Sequence, residues 1–266
     1  KLWYDADNSA NHGLSCNHCH PRGGTDMLGW QLSGVPFDHK GVMVTQSLLS
    51  IEDTFPYHWR GERRLAEFNA AFSGLLGGTD LGAKQLEDFE SFVFSLQAPA
   101  NPLQQKSRNL TGTATSGALA GQTRFNTQVG VVPAFAAATC ATCHGNESGS
   151  NGQITQDNPL SPVPTDTCLD VAHLRQLLVK IRQPSVPVTV GGTPTVRPRI
   201  GFGFAHSGHN LSLSDFLQPP AFVGFTPTEL SQLVGFVSEF DQGIAPRVHS
   251  AVLMRAANHV SATADI

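Results

Sequence analysis

The feature that most constrains this chain is a five-residue pattern present twice. Cys16-Asn17-His18-Cys19-His20 and Cys140-Ala141-Thr142-Cys143-His144 both read C-x-x-C-H, the signature of c-type haem attachment. Geometry explains the spacing. Two thiols separated by two residues on a helical turn can each add to one of the two vinyl groups along a porphyrin edge, and the histidine that follows then points at the iron. The sequence therefore predicts two covalently bound haem c groups, one at Cys16, Cys19 and His20 and the other at Cys140, Cys143 and His144. His20 and His144 are the expected proximal iron ligands.

Two rival uses of C-x-x-C fit poorly. A thioredoxin-like dithiol needs a βαβ setting, which neither segment has, and gives no reason for the histidine in both copies. A four-cysteine zinc site usually places its two pairs within about 20 residues, whereas these lie in opposite halves of the 266-residue chain. The fifth cysteine, Cys168, has no partner in sequence and reads as a buried free thiol.

Composition fits a chain organised around cofactors. Charged residues make up 14%, against about 25% in ordinary domains, and there are 26 glycines and 17 prolines. Much of the chain should be irregular loop, and an apolar porphyrin would give short helices and loops a surface to pack against. A formal charge of −4 with no Lys/Arg run argues against nucleic acid as a partner. No apolar stretch approaches the roughly 20 residues of a membrane-spanning helix.

The two motifs head an internal repeat. His20 is followed by Pro56-Tyr57-His58-Trp59-Arg60-Gly61 and then by Leu86, Phe89, Phe92, Val93 and Leu96. His144 is followed by Gly203-Phe204-Ala205-His206-Ser207-Gly208 and then by Leu230, Leu233, Phe236, Val237 and Phe240. Steps of three and four predict an amphipathic helix at the end of each half. Ala98-Pro99 and Ala245-Pro246 are the expected stops. Thr226-Pro227-Thr228-Glu229 supplies an N-cap, a first-turn proline and a capping-box glutamate. The segment from Ala98 to Arg108 reads as a linker, which gives a mainly α, loop-rich chain of two cytochrome c-like haem domains, 1–106 and 107–266. Residues 145–167 read as a surface loop, and the Val/Thr alternation from Val186 to Pro198, broken by Gly191-Gly192, predicts a short β-hairpin. Three N-x-S/T matches, at Asn109, Asn146 and Asn210, are taken as chance.

The order C-x-x-C-H, Trp-x-Gly, C-x-x-C-H, Phe-x-His-x-Gly resembles the bacterial di-haem cytochrome c peroxidase superfamily, in particular the branch found in large exported multihaem proteins. The resemblance covers almost the whole chain and is carried by Ser15 to Gly24, Pro56 to Gly61, Leu174-Arg175-Gln176 and Gly201 to Leu217. It implies a periplasmic or extracellular location. It also implies a first haem whose distal histidine is removable, a second haem that stores an electron, and a tryptophan, Trp59, as a relay between them. His39 stands near the place of the distal histidine, and His58 beside Trp59 is a rival for the same iron. His206 is a candidate at the second iron, although the resemblance puts it nearer the pocket wall.

Several family features are missing. The methionine that would ligate the second iron is replaced by Pro220, and Met254 is isolated. The glutamine and glutamate that would shuttle a proton between peroxide oxygens have only Asn69 and Thr79-Asp80 near their places. Two functions follow as expectations. The first is electron transfer through two haems to a redox partner protein or other haem subunits. The second is a peroxidase-like or maturation enzyme that reduces hydrogen peroxide at one open haem. His12, His173, His249 and His259 are assigned structural uses, and His18 a solvent-facing one. Lys1-Leu2-Trp3-Tyr4 falls inside an element that Gly121-Gln122-Thr123-Arg124-Phe125 repeats before the second motif, so the chain is expected to be a piece of a larger exported protein.

Overall fold

The computed structural model describes residues 2–31, 41–155, 168–175, 177–181, 188–190, 193–195 and 203–244. The architecture is mainly helical and rich in loops. The α-helices among the described residues are α1 (Cys16–Cys19), α2 (Ala70–Gly74), α3 (Ala83–Ser95), α4 (Gly117–Thr127), α5 (Cys140–His144), α6 (Leu177–Ile181), α7 (Leu213–Phe216) and α8 (Pro227–Ser238). Among the described residues six short strands pair as three antiparallel ribbons: β1 (Gly29–Gln31) with β2 (Val42–Val44), β3 (Ile154–Thr155) with β4 (Leu169–Asp170), and β5 (Val188–Val190) with β6 (Thr193–Thr195). The last pair is the hairpin expected from the Val/Thr alternation.

Apolar residues gather in two separate cores, one on each side of Ser107. Trp3, Ile51, Leu65 and Val93 form the first, with Cys16, Phe68, Phe89 and Phe94 packed against them. Phe125, Leu174, Phe204, Leu213, Leu233, Phe236 and Val237 form the second, with Cys140 against its edge. Each core therefore rests on one attachment motif, one amphipathic helix and the segment before the motif. In the second half α4 lies along α8, with Gly121 backed directly onto the Gln232 carbonyl and Arg124 paired to Glu229 at 2.8 Å.

The α8 start matches its sequence signals. Thr226 Oγ1 accepts from the Glu229 amide, and the Thr226 amide donates to the Glu229 carboxylate at 2.8 Å, so two otherwise unpaired amides are satisfied. Both helix ends fall short of their prolines. Helix α3 stops at Ser95 because Leu96 turns extended and its carbonyl accepts from the Ser50 amide at 2.7 Å. Helix α8 stops at Ser238, which leaves Phe240 outside it, and Ala245-Pro246 lies outside the described residues. Phe92, read as part of the α3 apolar face, is exposed, although its ring reaches Trp3 at 5.5 Å between centroids.

The segment between the halves is anything but loose. Ala98, Asn101 and Gln104 are buried, and Asn101 Nδ2 donates to the carbonyls of Ser238 (2.8 Å) and Phe240 (3.3 Å). A polar side chain from the strap thus meets the Ser238 carbonyl at the end of α8, and shares the Phe240 carbonyl with Gln242 Nε2.

Candidate functional site

The two C-x-x-C-H segments fold alike because each begins with a short hydroxyl residue. Ser15 and Thr139 stand as extended N-caps before α1 and α5, and each closes a capping box with the residue three positions on, His18 or Thr142. His18 Nδ1 accepts from the Ser15 amide at 2.9 Å, so the exposed His18 is part of the turn. The turns hold the cysteine pairs, with His20 just beyond α1 and His144 at the last position of α5.

Both histidines are prepared in the same way. His20 Nδ1 lies 3.3 Å from the Gly24 carbonyl and His144 Nδ1 lies 2.8 Å from the Gly149 carbonyl. A carbonyl only accepts, so Nδ1 carries the proton and the Nε2 lone pair is left available, the arrangement used by metal-ligating histidines. Burial lowers both pKa values and outweighs the nearby carbonyls, Gly24 and Gln46 for His20, Gly149 and Ala172 for His144, so both rings are neutral. Gly149 has φ 76°, and a Cβ there would come within 2.5 Å of the Leu174 Cβ, so the turn that presents its carbonyl needs glycine. An aromatic ring from the preceding element lies against each histidine: Trp3 to His20 at 6.3 Å and 52°, Phe125 to His144 at 6.4 Å and 52°.

The thiols are held in one protonation state. Burial raises all four, Cys16 and Cys140 to about 11. Cys168 is also a free thiol, half-buried and apart from both turns. Among the described residues no cluster of three or more His, Cys, Asp or Glu side chains could hold a bare metal ion.

Against the second turn lies a cavity of about 250 Å³ lined by Cys140, Cys143 and His144 and walled by Phe125, Phe204, Phe216 and Leu233. Into this apolar space project Asp170, His173, Lys180 and His206. Asp170 Oδ1, His173 Nδ1 and His206 Nε2 have no hydrogen-bond partner. Burial alone lowers Lys180 to about 8 and dominates the rise of Asp170 to about 8 and the fall of His173 and His206 to about 4. Unpaired polar groups in an apolar cavity are costly unless a bound group completes them. A haem fits these residues: two thiols, a histidine with a free Nε2, apolar walls for the ring and polar atoms awaiting partners. A larger cleft of about 600 Å³, lined by Asp53, Arg108, Arg175, Glu239 and Asp241, contains none of the attachment residues.

The first half contributes to the second cavity. Trp59 forms part of its wall, and Val44 joins Trp59 to His206: the Trp59 indole N–H donates to the Val44 carbonyl at 2.7 Å, and the Val44 amide donates to the His206 carbonyl at 2.7 Å. The Trp59 carbonyl in turn accepts from the Asp170 amide at 2.9 Å, and the rings of Trp59 and His206 meet edge to face at 6.5 Å. The preceding residue, His58, is half-buried, bonded through Nδ1 to Glu62 at 3.0 Å, and near enough to His20 to depress its pKa. His39 lies outside the described residues.

No known protein family matches the chain, and no curated protein does either. Among solved structures it is similar to a hydrazine synthase from Kuenenia stuttgartiensis, determined under 20 bar of xenon, with a TM-score of 0.57. The match covers 89% of this chain and 84% of that one, at 16% identity. The likeness is one of fold and extends through both halves. No relation to the peroxidase superfamily follows from it.

Sequence reasoning brought Cys140, Cys143, His144, Trp59 and His206 to one place. It missed Asp170 and Lys180 and gave His173 a purely structural use. Asp170 and His173 stand just before the Leu174-Arg175 motif, which was the available signal; nothing near Lys180 marks it.

Proposed function

We propose that this chain is a di-haem c-type cytochrome that passes electrons between haems bound at Cys16/Cys19/His20 and Cys140/Cys143/His144. The observation that carries this reading is Trp59, which comes from the half that bears the first attachment turn and forms a wall of the cavity beside His144 in the second. Haem supplies one-electron exchange at iron. The protein fixes the imidazole tautomers through Gly24 and Gly149, excludes water with the apolar walls, and spans the two halves with an indole held by Val44.

His206 is the favoured sixth ligand of the second iron. It is 2% exposed, shares the cavity with His144, and its Nε2 has no other partner. The absent methionine at Pro220 leaves that role open. His58 and His39 remain the candidates at the first iron. Asn69 supports electron transfer over peroxide cleavage, because both the donor and the acceptor of its side chain are already engaged. Asn69 holds both the amide and the carbonyl of Leu81, and Asp80 accepts from Ser73 Oγ at 2.6 Å. Export from the cytoplasm and an external redox partner belong to the same reading.

Electron paramagnetic resonance of the oxidised protein tests it. The expected spectrum shows two low-spin ferric centres, and His206→Ala converts one of them to high-spin. A high-spin second haem in the unmodified protein would reject His206 as ligand and revive the peroxide-reducing alternative.

A further inference from the structure

Lys180 is a half-buried cation in the wall of the second cavity. Its Nζ lies 5.0 Å from the centroid of the Trp59 ring. Among the described residues no carboxylate forms an ion pair with it, and burial is the sole influence on its pKa of about 8. Among the described residues the one carboxylate in the same cavity, Asp170, is held at about 8 and so stays mostly neutral at pH 7. At that pH the ammonium is the main form, and from its half-buried position its charge faces the electron-rich indole.

We propose that Lys180 keeps Trp59 in its closed-shell state, so that the indole serves as a bridge through which electrons tunnel and not as a site where an oxidising equivalent rests. This rests on the electron-transfer reading and defines how Trp59 takes part in it. The attraction of a cation for the neutral ring becomes a repulsion once the ring loses an electron. Two unit charges 5 Å apart in a medium of effective dielectric about 20 disfavour the oxidised ring by about two orders of magnitude in equilibrium constant.

The other route to a tryptophan radical is closed as well. One electron must leave the ring and the Nε1 proton must leave with it. The Nε1–H donates to the Val44 carbonyl at 2.7 Å, and an amide carbonyl does not take a proton near neutral pH. The cation therefore guards the ring and the carbonyl retains the proton. Lys180 acts through Trp59, as a positioning residue.

The test uses the di-ferric holoprotein in a Trp30→Phe background, which removes the exposed indole. A ruthenium polypyridyl complex is excited by a flash, gives an electron to a sacrificial acceptor, and in its oxidised form takes one electron from the protein. Transient absorption and electron paramagnetic resonance then read the tryptophan radical. The expected radical yield in Lys180→Met is at least about tenfold that of Lys180 protein, Lys180→Arg stays at the low level, and Trp59→Phe added to Lys180→Met removes the signal. Equal yields with and without Lys180, whether high or low, would overturn the proposal, as would a signal that survives Trp59→Phe. Stopped-flow reduction of the two haems, measured on the same samples, reads electron transfer separately. A failure there would strike the function and leave the radical yields to decide the role of Lys180.

Discussion

Replacing Cys140 and Cys143 together by alanine will leave one haem per chain and unfold the second half while the first half keeps its core. The argument rests on the cavity. Its volume of about 250 Å³ lies against Phe125, Phe204, Leu233 and other members of the second core. Without the ring the apolar side chains that line it face water, at about 2 kcal/mol for each Phe or Leu so exposed, and the loss of several approaches the whole stability of an ordinary domain. The first core contains no residue of the second and keeps its own attachment turn. Haem-stained gels and a pyridine haemochrome assay would give the stoichiometry, and circular dichroism would follow the loss of helix in α4 and α8. A variant that retains two haems, or that melts as a single unit, would contradict the assignment of this cavity to the second haem.

Gly121→Ala is expected to destabilise the protein by about 3 kcal/mol, the upper end of what overpacking costs. In an open helix the same change would add about 1 kcal/mol of stability. Here an added Cβ would run into the Gln232 carbonyl of α8, which is backbone and cannot rotate aside, and would press on the Phe236 Cβ at 3.0 Å. The two helices would have to separate where Phe125 and Phe236, 5.0 Å apart, close the core beside His144. Gly224→Ala is the matched control, since nothing lies within 4 Å of its added Cβ. Urea denaturation should show a lower midpoint for Gly121→Ala and an unchanged one for Gly224→Ala.

What was legible in the sequence was whatever chemistry makes local. The attachment turns had to show themselves, because two thioethers and an axial histidine demand one spacing, and the cap residues Ser15 and Thr139 stand next to them. The start of α8 was equally plain, since Thr226, Pro227 and Glu229 act on one another within a single turn. Helix ends were less plain. A hydrogen bond from the Ser50 amide to Leu96, distant in sequence, decides where α3 stops, and no pattern of prolines reports it. The strap from Ala98 to Arg108 looked like a linker by composition, yet Asn101 spends its amide on the end of α8.

The cavity was the least legible part. Asp170 comes from β4, His173 from the loop after it, Lys180 from α6 and His206 from the Phe-x-His-x-Gly segment, and they converge only in the folded chain. A lone lysine in sequence reads as surface. Its burial beside an indole follows from the packing of α6 against α8 and from the reach of Trp59 across the halves, neither of which has a short-range signature.

The claim on which the rest depends is covalent attachment of two haems at the two turns. Intact-protein mass spectrometry after acid denaturation tests it most directly. The account predicts the polypeptide mass plus two haem groups, with each haem retained on one of the peptides containing Cys16/Cys19 and Cys140/Cys143 after digestion; the bare polypeptide mass, with the colour extracted into acidic solvent, would contradict it.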